Sequence, residues 1–209
     1  MTTRTIAVVS AGLGVPSSTR LLADRLAAAA VDRLSAQGVQ AVVEHVEVRE
    51  VAQDVTNNLL TGFPSPALRR ALDAVTGADG IIAVTPVFNG SYSGLFKSFL
   101  DVVELGALEG VPVLIAATGG SERHSLVLDH ALRPLFSYLH AVVTPTGVFA
   151  ASSDWGAGSE GGNGLERRIE RAAGELADLV SRSRRTSTPD PLGAGLDFAS
   201  LLAGAAAQR

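Results

Sequence analysis

Apolar runs rich in β-branched residues recur along this chain, and each gives way to a helical pattern after only a short loop. The runs cover residues 5–9, 39–48, 80–84, 111–117 and 141–148, and helical patterns fill 17–37, 65–75, 92–105, 122–140 and 165–182. Strict β–α alternation with short connections leaves one economical solution, a parallel sheet with helices on both faces. Most of the runs are nearly continuous, as expected for strands buried on both sides. VQAVVEHVEV is more mixed and belongs nearer an edge.

The number and order of these elements fit an α/β domain of the flavodoxin-like type, with a five-stranded parallel sheet in the order 2-1-3-4-5. In such sheets ligands bind at the carboxyl ends of the strands, in the crevice where the strand order reverses. Here that crevice lies between strands 1 and 3. The loops after those two strands are VVSAGLGVPSSTRLLA and IIAVTPVFNGSYSGLFKSFLD. Residues 1–182 form the expected domain. Residues 183–209 read as a polar linker and a terminal tail, either frayed or packed as a short arm on a partner subunit. The Gly- and Ser-rich stretch 151–164 reads as a mobile loop.

Composition closes off several classes. The chain has 209 residues, a net charge of −4 and no cysteine. Disulfides, thiolate metal sites and cysteine nucleophiles are excluded, and the absence of a basic stripe argues against nucleic acid. No apolar run reaches the about 18 residues of a membrane span. The first strand begins close to the N-terminus, so no leader is expected, and the cytoplasm is the default location. Scattered histidines without ligand spacing make a metal site improbable, and no G-x-S-x-G elbow is present.

Four segments could carry chemistry. In the first loop, Ser10 ends the strand, and Ser17, Ser18 and Thr19 open a helix behind Gly12 and Gly14. The hydroxyls serve either as ordinary helix caps or, with the free amides and the helix dipole, as an anion site. In the second, Pro86, Val87, Phe88, Asn89, Gly90 and Tyr92 offer flat apolar surface and close backbone approach. The alternative is a plain strand-to-helix turn with Tyr92 in the core. In the third, Thr118, Gly119, Gly120 and Ser121 follow strand four and suit a backbone passing close to a ligand, or simply a turn. The fourth is the helical stretch SLVLDHALRPLFSYLH. Its internal Pro134 clashes with the carbonyl of His130, and the relief is either a π-bulge that displaces His130 or an ordinary kink.

These residues resemble the NAD(P)H-dependent FMN reductases, most nearly the reductase components of two-component flavin monooxygenase systems such as the alkanesulfonate FMN reductases. The similarity covers residues 4–182 and is most specific from TPVFNGSYSGLFKSFLD through LEGVPVLIAATGG to LDHALRPLFSYLHA. In the phosphate loop Ser17, Thr19, Leu22 and Ala23 match the family pattern, whereas Gly12 and Gly14 stand where the family has Ser and Arg. The resemblance implies FMN held by Ser10, by Ser17, Ser18 and Thr19 with help from Arg20, by Pro86–Tyr92 and by Thr118–Ser121. It implies NADPH or NADH as co-substrate, with hydride passing directly to the flavin and no catalytic side chain. It also implies a homodimer or homotetramer, with His130 in a π-helix insertion near the flavin and the interface, and a flavin-dependent monooxygenase as partner. Phe96, Leu100, Leu135 and Phe136 are the apolar residues expected at that interface. The rival readings are an FMN-bound quinone or azo-dye reductase and a flavodoxin-like electron carrier without nicotinamide activity.

Overall fold

A computed structural model describes residues 2–155 and 160–183. The sheet is built from β1 (Thr2–Ser10), β2 (Val39–Glu47), β3 (Gly80–Phe88) and β5 (Pro112–Gly119), all parallel and in the order β2-β1-β3-β5. Beyond β5 the sheet is completed by β6 (Val142–Val143) and β7 (Val148–Ala151), which both pair with β5. The short β4 (Ser91–Tyr92) folds back antiparallel on the end of β3. The expected strand order holds, with β1 and β3 adjacent at the reversal.

Alternate residues of the central strands feed two cores. Ile6, Val8, Ile82, Val84, Leu114 and Ala116 face α1 (Ser18–Ala36) and α6 (Glu160–Arg182). Ala7, Val9, Ile81, Ala83, Val113 and Ile115 face the opposite layer. That layer holds α2 (Ala52–Thr61), α3 (Pro66–Thr76), α4 (Gly94–Asp101) and α5 (Arg133–Tyr138). Period-two alternation with both sets apolar is what a sheet sandwiched between helix layers requires. β2 is half-exposed along most of its length, as its mixed sequence anticipates.

The fold departs from the sequence expectation in several places. Residues 48–61, expected as connection, form a 3-10 turn (Val48–Val51) and α2. Only Val55 of α2 is buried, so the helix carries little apolar signal; Gly62, at φ +79°, ends it in the left-handed conformation. The fifth strand is split because residues 144–147 leave the ladder. Pro145 has no N–H to give, and Thr146 bonds Glu175 of α6 through both its amide and its hydroxyl, each at 2.7 Å. The stretch expected as a mobile loop from 151 to 164 is partly regular. Residues 152–155 form a 3-10 turn and α6 begins at Glu160, while 156–159 lie outside the described residues. The Trp155 ring lies under the Arg25 guanidinium at 5.3 Å. The expected linker and tail, beyond Ser183, also lie outside the described residues.

The helix expected over 122–140 is three pieces: a 3-10 turn (Glu122–His124), a π-helical turn (Leu128–Leu132) and α5. Phe96, Leu100 and Phe136, expected at a subunit interface, are instead core residues of the single chain, and Leu135 is half-buried. Their apolar excess is absorbed by mutual packing: the Phe96 ring lies 6.1 Å from Tyr92 and 6.3 Å from Phe136. Among the described residues no helix is long and apolar enough to cross a membrane.

Candidate functional site

Three strand ends meet at one edge of the sheet. β1 stops at Ser10, which is buried and level with Glu47 of β2 and Val84 of β3. The Ala11 amide still donates to the Val84 carbonyl at 3.1 Å before the chain turns away. β3 runs on past that point to Phe88, and β5 ends beside it, with Thr118 in register with Pro86. The loops after β1, β3 and β5 therefore surround the reversal point.

The first loop folds back over the start of α1. A Cβ on Gly12 would lie 2.1 Å from Ser17 Oγ and 3.0 Å from Thr19 Cβ, so a side chain here would displace the Ser17 hydroxyl from its place at the helix end. Ser17 is the N-cap, its Oγ accepting the Arg20 amide at 3.2 Å. Its own hydroxyl proton and the exposed Ser18 hydroxyl stay available at the helix end. The amides ahead of Arg20 have no intrahelical acceptor and point the same way. Thr19 differs: it is buried, and its hydroxyl meets that of Thr118 at 2.8 Å. It ties the first turn of α1 to the end of β5. Arg20 is held away as well, by Asp24 at 2.7 Å and by Glu47. Those carboxylates, Asp24 foremost, raise its pKa above the ordinary arginine value against the opposing effect of burial.

The second loop is a β-hairpin. Asn89 (φ +50°) and Gly90 (φ +84°) occupy its tip, and Val87 and Phe88 pair with Tyr92 and Ser91. Two successive left-handed residues define the tight hairpin turn that Asn-Gly favours; that dipeptide was the overlooked signal. Thr85 and Ser93, both buried, fix the base of the hairpin. Thr85 Oγ1 accepts the Ser93 amide at 3.1 Å, and Ser93 Oγ in turn caps α4 by accepting the Phe96 amide at 3.1 Å. Pro86 is buried and Val87 half-buried, while Phe88, Asn89 and Gly90 are exposed. Phe88 holds an aromatic face in solvent, 46% exposed. Tyr92 is half-buried against Phe96 rather than fully in the core.

In the third loop the glycines have separate reasons. A Cβ on Gly119 would meet the Phe149 ring at 2.9 Å, whereas Gly120 faces open space. Ser121 caps the following 3-10 turn through the Arg123 amide at 3.3 Å. Next to the hairpin lies the π-helical turn. The Arg133 amide donates to the Leu128 carbonyl, a bond across five residues instead of four. His130 sits at the centre of this turn and is exposed. The one-residue insertion resolves the conflict at Pro134, which falls in the first turn of α5, where a missing N–H costs nothing.

The assembled edge presents hydroxyls and amides for an anion on one side and an exposed aromatic hairpin on the other. Among the described residues no cluster of three or more His, Asp or Glu is placed to hold a metal. The family model for NADPH-dependent FMN reductases matches residues 4–156. A Pseudomonas aeruginosa protein named FMN reductase (NADPH) is 37% identical over 174 residues, covering 83% of this chain and 91% of the relative. The NADH-dependent FMN reductase SfnF of Pseudomonas fluorescens is 38% identical over 175 residues, covering 83% and 90%. Among solved structures, an oxidoreductase from Corynebacterium diphtheriae matches with a TM-score of 0.84 at 48% identity, over 88% of this chain and 100% of that one. The apo form of an NADH:FMN oxidoreductase matches at 0.69 and 28% identity, over 90% and 98%. The loops at the reversal of the sheet and these likenesses lead to one assignment, that the chain belongs to the NADPH-dependent FMN reductase family.

Proposed function

We propose that this protein is an NAD(P)H:FMN oxidoreductase, with residues 1–182 as its reductase domain and the cytoplasm as its location. The observation that carries the reading is the pairing, across one sheet crevice, of an α1 N-terminus roofed by Gly12 with an exposed Phe88 hairpin. The residues present suit the cofactor. A phosphate needs donors, and the Ser17 and Ser18 hydroxyls and the first amides of α1 supply them. A flat ring needs apolar surface with backbone close at hand, which Phe88, Asn89, Gly90 and Tyr92 offer on one side and Gly120 and Ser121 on the other. When bound, FMN supplies the hydride acceptor for reduced nicotinamide. Thr19 and Thr118 hold the two sides of the crevice together through their hydroxyl pair, and Thr85 with Ser93 fixes the hairpin. No side chain is required to move a proton at the ring, so positioning is the protein's contribution. Reduced FMN then passes to a flavin-dependent monooxygenase, and His130 in the π-turn promotes its release.

Replacing Ser17 by Gly and Ser18 by Ala tests the phosphate assignment. Glycine at an N-cap costs only a few tenths of a kcal/mol, whereas each lost bond to a charged acceptor costs about 1.5–3 kcal/mol. Titration with FMN should give a Kd raised about tenfold or more with little change in Tm. An unchanged Kd would place the phosphate elsewhere.

The oligomer also belongs to this reading, resting on other residues than Phe96, Leu100 and Phe136. Leu60 (81% exposed) and Phe63 (81%), at the end of α2, Leu105 (80%) after α4 and Tyr138 (72%) at the end of α5 leave apolar surface on the α2–α5 layer. Light scattering at micromolar concentration should give a mass above that of one chain, and Leu60→Glu with Phe63→Glu should lower it. A single-chain mass for the parent would contradict this.

A further inference from the structure

We propose that Arg49 supplies the positive charge of the flavin-phosphate site, reaching the β1–α1 loop from the turn that follows β2; this rests on the reading that the loop holds the phosphate. The loop itself, GLGVPSS, carries no charged residue. The next residue with a charge, Arg20, is committed: its guanidinium is bonded by Asp24 and by Glu47 at once. Arg49 stands differently. It lies in the 3-10 turn just after β2, whose last residue, Glu47, is in register with Ser10 at the loop's origin. Arg49 Nε forms an ion pair with Glu47 Oε2 at 3.2 Å, which holds the guanidinium at the strand ends. Its Nη1 then reaches the Gly14 carbonyl inside the loop at 3.4 Å.

That last contact is long, near the outer limit of a hydrogen bond, so a phosphate oxygen displaces it at small cost. Asp24 and Glu47 together balance Arg20 and Arg49, but Asp24 pairs only with Arg20, so Arg49 has only a share of the Glu47 carboxylate. The Arg49 side chain is 34% exposed, and of its five N–H donors only one, on Nη1, is used in a hydrogen bond within the chain. The remaining donors are left for a ligand at the loop that Nη1 already touches. An anion there meets a planar fork already oriented by Glu47, the geometry that favours Arg over Lys at phosphates. Glu47 is accordingly a positioning residue for Arg49.

The test is equilibrium binding of FMN and of riboflavin, which lacks the phosphate, to the parent, to Arg49→Gln, to Arg49→Lys and to the Ser17→Gly/Ser18→Ala variant, each at low and high salt. Arg49→Gln should raise the FMN Kd about tenfold or more at low salt, as the loss of a charged bond requires, and leave riboflavin binding unchanged. Arg49→Lys should recover part of the loss. The salt dependence of FMN binding should flatten in Arg49→Gln, because the screened charge has gone; a loop merely loosened would keep the parent's salt dependence. FMN affinity unchanged in Arg49→Gln, or FMN and riboflavin weakened alike, overturns the assignment of Arg49 while the serine variant still upholds the loop. A parent that binds riboflavin as tightly as FMN overturns both.

Discussion

Gly12→Val is expected to cut FMN affinity by about 100-fold or more while the sheet stays folded. The first carbon of any side chain at this position would sit 2.1 Å from Ser17 Oγ and 3.0 Å from Thr19 Cβ, and valine adds two further methyl groups. The Ser17 side chain must turn away, and the two valine methyl groups push the loop from α1. The Ser17 cap bond to the Arg20 amide is then lost or distorted, at about 1 kcal/mol. The donors grouped at the helix end also separate. Losing two bonds to a charged acceptor at about 1.5–3 kcal/mol each gives a factor of about 100 or more. The two cores on either face of the sheet are built mostly from strand and helix residues away from Gly12, so circular dichroism should remain that of an α/β protein. Parent-like FMN binding by the folded variant would show that the loop over α1 does not hold the cofactor.

On the proposed role of the π-turn, deleting His130 is expected to make the protein retain flavin. The π-turn exists because residues 128–132 hold one residue more than α-helical pairing accommodates; the Arg133 amide reaches the Leu128 carbonyl across five positions. Removing His130 gives the same two groups the four-residue spacing of an ordinary helix. A wide turn is less stable than a regular one and persists where something else gains from it. The π-turn packs beside the Ser91–Tyr92 strand of the hairpin, where the proposed function puts the flavin ring, so the gain is expected there. The deletion variant should be at least as stable as the parent, purify yellow and turn over added FMN poorly. His130→Ala keeps the extra backbone residue and should be milder. A colourless deletion variant with parent-like turnover would contradict the role given to this turn.

The two kinds of signal in the chain were unequally legible. The parallel sheet, both helix layers and the converging loops could be read because the central strands are apolar on both faces and Ser17 and Ser65 stand as caps at helix starts; the strand order needed the count of elements and the length as well, and the cap at Ser93 was legible only in the structure. Pro134 marked the place for a similar reason, since a proline inside an apolar helical pattern must be relieved at a definable carbonyl, but it left a kink and a π-bulge open, and the structure has the π-turn. What escaped had no periodic signature. α2 buries only Val55, and residues 144–147 leave the sheet because of Glu175, a partner distant in sequence. Asn89-Gly90 did carry a hairpin signal, masked by the strand-to-helix reading around it. The expected roles of Thr19 and Arg20 illustrate a further limit. Both stand at the right place in sequence, yet one turns inward to Thr118 and the other is held by Asp24 and Glu47. Direction and pairing are tertiary facts, and they also brought Arg49 to the loop from a different element.

The central claim is that this chain passes electrons from reduced nicotinamide to FMN, and the rate of NADH and of NADPH oxidation by the purified full-length protein, with and without added FMN, tests it most directly. Oxidation of at least one nucleotide should depend on added FMN, saturate with it, and under anaerobic conditions bleach the flavin in step with nucleotide consumed. Absence of flavin-dependent oxidation with both nucleotides, in a protein that binds FMN, would contradict the account and leave the fold with an electron-carrier's role instead.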